Sequence, residues 1–166
     1  PHSGATFISV ALAKLLASRG IKVTYQEFPW SPGDPFLHMM GLMRGGVAEW
    51  QEGELIWRIG EGKQEDGAAP FDPASLYRLI FDMKNDITIF DVSSATNAKA
   101  VESLCVASDV IAAVASPDPG GLRSNSAINT WSILNSAAIR DKVFLIANRM
   151  PTTMKLPGFL KLFSVK

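Results

Sequence analysis

His2-Ser3-Gly4-Ala5-Thr6-Phe7 stands directly before a helix-like run, Ile8 to Arg19. A tight turn that opens a helix points several backbone N–H groups at one spot. The helix N-terminus adds partial positive charge there, which suits an anion, most often a phosphate. The common phosphate loop has the form G-x-x-x-x-G-K-[ST]. Gly4 fits its last glycine and Thr6 its magnesium-binding hydroxyl, but Ala5 stands where the lysine belongs. A full charge at ~4 Å, in an effective dielectric of about 20, is worth roughly 4 kcal/mol. Its loss weakens phosphate binding by up to about a thousandfold. Hydrolysis suffers further, because the same charge stabilises the transferring phosphoryl group. What remains is the backbone nest, the helix N-terminus and the Thr6 hydroxyl. The bland alternative is a helix-capping turn with no ligand.

The elements that must hold this turn follow from the pattern of apolar residues. Thr6 to Arg19 carries Ile8, Ala11, Leu12, Leu15 and Leu16 on one stripe, with Lys14, Ser18 and Arg19 off it, so an amphipathic helix is expected. Gly20 is its expected stop. Lys22 to Phe28 is an expected strand, and Trp30 to Pro35 a loop with strong turn chemistry. Phe36 to Met43 is expected to form a short helix, Glu54 to Ile59 a short strand, Gly60 to Pro70 a surface loop and Pro73 to Phe81 a helix. Asp86 to Asp91 is a buried strand ending in an acid, followed by a helix over Ala98 to Ala107. Asp109 to Ala115 has the near-continuous apolar run of a parallel strand covered on both faces. A long helix over Leu122 to Ala138 and a buried strand over Lys142 to Ala147 complete the series.

Strands alternate with helices, which predicts an α/β domain, a three-layer αβα sandwich around a mostly parallel sheet. Ligands in such sheets bind at the carboxyl ends of the strands. Glu27, Asp91, Pro117 and Asn148 all fall at such ends, on the same edge as the Gly4 turn. The 166 residues suit one domain, and with 47% apolar residues the chain has material for a sizeable core. The opening Pro1-His2 and the short tail Thr152 to Lys166 suggest that the natural domain extends beyond both. The 16 acidic and 16 basic residues balance, which argues against a nucleic-acid surface spread over the whole domain. No run reaches membrane-spanning length and no signal peptide is visible. The lone Cys105 suits a reducing cytoplasm. Cys105, Trp57 and Trp131 are expected in the core, and His2 and His38 lack partners at zinc-ligand spacing. Met39, Met40 and Met43 are core candidates or an adaptable partner surface.

Taken in order, these segments resemble the MinD/ParA group of P-loop proteins, and within it the CpaE/TadZ pilus-assembly branch. The likeness runs through Gly4-Ala5-Thr6, Leu16-Ala17 and Gly20-Ile21-Lys22-Val23 without a gap. It continues through Gly33-Asp34, Ile87-Thr88-Ile89-Phe90-Asp91, Ala107-Ser108-Asp109-Val110, Ser116-Pro117-Asp118-Pro119 and Leu145-Ile146-Ala147-Asn148-Arg149. The departures are Ala5 in place of lysine, Glu27-Phe28-Pro29 in place of Asp-x-Asp, and Val92-Ser93-Ser94 in place of a loop carrying proline or glycine. The CpaE/TadZ branch often lacks the same lysine. A second family lysine would fall just before Pro1.

The resemblance implies a P-loop NTPase-like fold, with His2, Ser3, Gly4, Ala5, Thr6 and Phe7 around the phosphates of ATP or ADP and Asn148 near the adenine. It implies magnesium held by Thr6 and, through water, by Asp91. Glu27 replaces the family aspartate that handles the attacking water, so Glu27 and Asp91 are the catalytic candidates. Against these stand plainer roles: Asp91 as a strand-end acid capping a turn, Asn148 as a polar strand end, Arg149 as a surface charge. Three readings follow. The first is a cytoplasmic pseudo-ATPase scaffold that binds nucleotide weakly, forms a homodimer and places a pilus or secretion assembly. The second is a working ATPase of the same fold. The third is an interaction domain that needs no nucleotide.

Overall fold

Every residue from Val23 to Glu27 is buried, on both faces of the strand they form. That is the environment of a central parallel strand. This strand, β1 (Val23–Phe28), lies inside a sheet with β2 (Ala48–Glu52), β3 (Leu55–Ile59) and β4 (Ile87–Val92), in the order β2-β3-β1-β4. β1 is parallel to both β3 and β4, and only β2 runs antiparallel, against β3. The computed structural model describes residues 4–28, 48–59, 77, 84–92, 98–118, 125–155, 157 and 159. The chain divides into two compact units, one of Thr6–Ala100 and one of Pro1–Ala5 with Val101–Lys166.

In the first unit, α1 (Ala5–Ala17) covers the face of the sheet that carries Val23, Tyr25, Leu55, Trp57 and Ile59. Ala13 is fully buried there, with Val10, Leu16, Ala17 and Ile21 packed around it. Each large apolar side chain buried in this way contributes about 1.5–3 kcal/mol. The helix closes on a Schellman motif. Gly20 N–H donates to the Ala17 carbonyl at 2.9 Å and Ile21 N–H to the Leu16 carbonyl at 3.3 Å. Gly20 sits at φ +80°, a left-handed geometry that glycine adopts without a Cβ clash.

The buried face of α1 is not the expected one. Leu12 and Leu15 point outward, and Phe7 is 69% exposed. The helix is apolar on almost every side, so periodicity alone could not choose the buried side; the small Ala13 allows the backbone to lie close to Tyr25 and Trp57.

The hairpin β2–β3 was not expected. Its loop is Gly53-Glu54, with Glu52 opposite Leu55. Positive φ at Gly53 and not at Glu54 is the pattern of a type II′ turn, whose twist suits a hairpin. Trp50 and Trp57 face each other across it and stack, ring centroids 5.7 Å apart. Lys14 of α1 lies over the Trp57 ring, and Trp57 is in the core as expected. β4 is half-buried apart from Asp91, which is buried, and the strand continues one residue past that acid.

The second unit holds β5 (Ile111–Ala115) and β6 (Val143–Ala147), a parallel pair. It also holds α3 (Asn125–Leu134) and most of α2 (Ala98–Ala107), whose bounds are the expected ones. α3 ends at Leu134, short of Ala138, because the chain turns into a 3-10 segment at Arg140–Lys142. β5 and β6 are not covered on both faces. Ala112 lies beside Phe144, and both are exposed, Phe144 by 63%. Cys105 is buried as expected, and burial pushes its thiol pKa up. Trp131 is only half-buried.

The architecture is therefore α/β with a mostly parallel sheet. The expected features at Trp30–Pro35, Phe36–Met43 and Gly60–Pro70, and the residues His2 and Ser3, lie outside the described residues. So does the Pro73–Phe81 helix apart from Tyr77, which is helical and exposed. Among the described residues no helix is long and apolar enough to cross a membrane.

Candidate functional site

α1 ends just before β1 begins and packs back along it. Its first turn therefore lies toward the carboxyl ends of β1 and β4, where ligands of parallel sheets bind. Glu27 and Asp91 are register partners there, the fifth residue of each strand. Neighbouring residues in register share a face, so both carboxylates lie on the side that α1 covers. Glu27 is 6% and Asp91 8% exposed.

A carboxylate this buried needs a donor. For Asp91 it is Tyr25, whose Oη donates to Asp91 Oδ2 at 2.8 Å. Tyr25 lies two residues before Glu27 on the same face, tilted against the Trp57 ring at 5.3 Å. Burial pushes the Tyr25 phenol far above its ordinary value of 10.0. The Asp91 charge and hydrogen bond push the same way, and the Glu27 charge adds a smaller push upward. The phenol therefore stays a donor at any physiological pH.

Asp91 Oδ1 accepts no hydrogen bond from a described residue, and the Thr6 side chain makes none to one. Among the described residues no three His, Cys, Asp or Glu side chains gather as a metal cluster. Magnesium takes hard oxygen ligands, keeps several waters, and is commonly held by one or two protein oxygens together with nucleotide phosphates. The oxygens of Thr6 and Asp91 are of the right type for it. Neither is soft enough to favour zinc.

In the other unit, Gly4 has φ +86° and faces Asn148. A Cβ at Gly4 would collide with the Asn148 side-chain amide unless that amide shifted, and the left-handed backbone strains any other residue there. Asn148 follows β6 directly. Its N–H donates to the Ala115 carbonyl at 2.8 Å, and its Oδ1 accepts from the Arg149 N–H at 3.0 Å. That second bond holds Arg149 in a left-handed geometry, φ 55°, which is uncommon for a residue with a Cβ. Gly4 thus meets the carboxyl end of β6, the edge predicted for it. Ala5 is the first residue of α1, and Phe7 points outward.

Sequence reasoning missed Tyr25. No motif marks it; an aromatic in a strand is ordinarily core. The available signal was the two-residue spacing from Tyr25 to Glu27, which places a phenol on the same face as a predicted acid.

No protein-family model matches the chain, and no curated protein matches it.

Proposed function

We propose that this chain is a nucleotide-binding scaffold with a P-loop NTPase-like fold of MinD/ParA type, closest to the CpaE/TadZ branch, with weak affinity for ATP or ADP and slow or no turnover. The carrying observation is the opening turn of α1: a left-handed Gly4 packed against Asn148, Ala5 as the first helical residue, and Thr6 after it. A turn of this kind can aim backbone N–H groups at an anion, and Ala5 leaves it without the lysine charge that phosphoryl transfer uses. Thr6 and Asp91 would hold magnesium, which when bound neutralises phosphate charge. Glu27 would be the candidate for handling an attacking water; it is buried beside Asp91.

The protein's work, on this reading, is to assemble others. It acts as a cytoplasmic homodimer that places components of a pilus or secretion system. The outward apolar stripe of Phe7, Leu12 and Leu15 supports contact with protein. It also favours a second reading, an interaction domain that works without nucleotide.

Calorimetric titration with ATP and magnesium, followed by a phosphate-release assay, separates these readings. Saturable binding with negligible release is the expected result. Absence of binding leaves the interaction domain, and steady release at rates usual for working ATPases removes the scaffold.

A further inference from the structure

α1 carries apolar residues on the side turned away from the sheet. Ala13 faces the core, whereas Phe7, Ala11, Leu12 and Leu15 are exposed. Residues three and four apart share a helix face, so two exposed rows run along it. One is Phe7, Ala11, Lys14 and Ser18; the other is Leu12, Leu15 and Arg19. Each row begins apolar and carries a cation toward its C-terminal end. The small Ala11 lies between the larger Phe7 and Leu15, which lets another helix interdigitate. Lys14 lies over the Trp57 ring at 5.7 Å, and neither Lys14 nor Arg19 has an ion pair with a described residue. From Ala5 to Lys22 the sequence has no acid. Cations near a helix C-terminus suit the dipole. The dipole gives no reason for Phe7, Leu12 and Leu15 to face outward.

We infer that this face docks an acidic amphipathic helix of another protein. The partner's apolar side chains lie along Phe7, Ala11 and Leu15, and its carboxylates meet Lys14 and Arg19. This rests on the reading of the outward stripe as a protein contact and needs no nucleotide. A second copy of the chain is a poorer occupant, because it presents the same face. Antiparallel pairing sets Lys14 and Arg19 over the other copy's first turn, which has no acid and carries the positive end of the dipole. Parallel pairing sets these cations against their own kind. An anionic membrane is also a poorer occupant. It is recognised by clusters of about four to eight Lys or Arg, and this face offers Lys14 and Arg19.

The probe is a synthetic peptide of about 18 residues, long enough to be helical in water, with leucines at three- and four-residue spacing and glutamates on both flanks. A second peptide has lysines in place of the glutamates. Fluorescence anisotropy follows both against the wild-type chain, Leu15→Ser and Arg19→Glu, with thermal melting as the check on folding. The acidic peptide should bind saturably, and at least about tenfold more tightly than the basic one. Leu15→Ser should weaken it by about 10- to 100-fold, and Arg19→Glu by about three- to tenfold. Both residues are exposed, so both variants should melt as the wild type does; should one not fold, the other decides. Sedimentation of the wild-type chain alone, and flotation with phosphatidylserine–phosphatidylcholine vesicles, test the other two occupants. Self-association that Leu15→Ser abolishes, with no peptide bound, overturns the inference and leaves the protein-contact reading standing. Equal affinity for the two peptides overturns it as well, and so does an acidic peptide that both variants bind as tightly as the wild type. Vesicle binding without peptide binding, or no binding and no self-association at all, overturns the inference and the protein-contact reading together. The ATP titration judges the nucleotide reading separately from all of these.

Discussion

Tyr25 Oη donates to Asp91 Oδ2 across the seam between β1 and β4, at 2.8 Å, with both residues buried beneath α1. The pair sits between the core and the candidate site. One end packs on Trp57 and the other fixes an acid at the carboxyl end of a parallel strand. Its loss should therefore be visible in stability as well as in binding.

Tyr25→Phe keeps the ring and removes the donor. A buried carboxylate oxygen then lacks its partner, which costs about 1–3 kcal/mol. Asp91→Ala is also destabilising, but the two losses should not add. A double-mutant cycle by urea denaturation should give a coupling of about 0.5–3 kcal/mol. Simple additivity would show that the bond contributes nothing.

Alkaline pH should weaken the fold through the same phenol. In the folded chain Tyr25 keeps its proton well above the ordinary value of 10.0, whereas unfolded it releases it near that value. Between those points the folded state binds more protons than the unfolded state, so stability falls as pH rises. The contribution is complete below pH 10.0 and is lost above it. The slope approaches about 1.4 kcal/mol per pH unit. Urea midpoints measured upward from about pH 9 should decline more steeply in the wild type than in Tyr25→Phe. Parallel curves would contradict the burial of this group.

Substitutions on α1 report which face is buried. Leu15 is 52% exposed, so Leu15→Ser should change stability by no more than about 0.5 kcal/mol. Ala13 is fully enclosed, so Ala13→Leu should cost about 1–3 kcal/mol by overpacking. Denaturation curves with the opposite ranking would restore the face that periodicity suggested.

Gly4→Ala should destabilise by about 1–3 kcal/mol from its left-handed backbone alone. The collision with Asn148 adds to that. Asn148→Ala in the same chain should recover the collision and leave the backbone strain, so rescue is partial. Full rescue would mean that Gly4 is needed only for space.

Much of this architecture was legible because apolar runs and turn residues agree. Ile87 to Phe90 and Val143 to Ala147 are short β-branched and aromatic stretches with clear boundaries, and both are strands. The bounds of α2 were readable for a similar reason, since no helix breaker interrupts Ala98 to Ala107. The buried face of α1 was not readable, because apolar residues surround the helix. β2 was missed although Gly53-Glu54 carries a hairpin signal; its charged Glu49 and Glu52 hide a strand whose role is to bring Trp50 onto Trp57. At the site, Gly4, Thr6, Glu27, Asp91 and Asn148 stood out as residue types at strand ends and a helix start. The Tyr25–Asp91 hydrogen bond did not, because it depends on register between β1 and β4, which is not written in local sequence.

The most direct test restores the missing cation. ATP titrations of the wild-type chain and of Ala5→Lys, in magnesium at matched ionic strength, measure what the lysine position is worth. A phosphate cradle that has lost its charge should bind ATP weakly as it stands and more tightly with the lysine, by up to about a thousandfold. Equal affinity in the two proteins, or no saturable binding by either, would contradict the claim that the opening turn of α1 is built for a nucleotide.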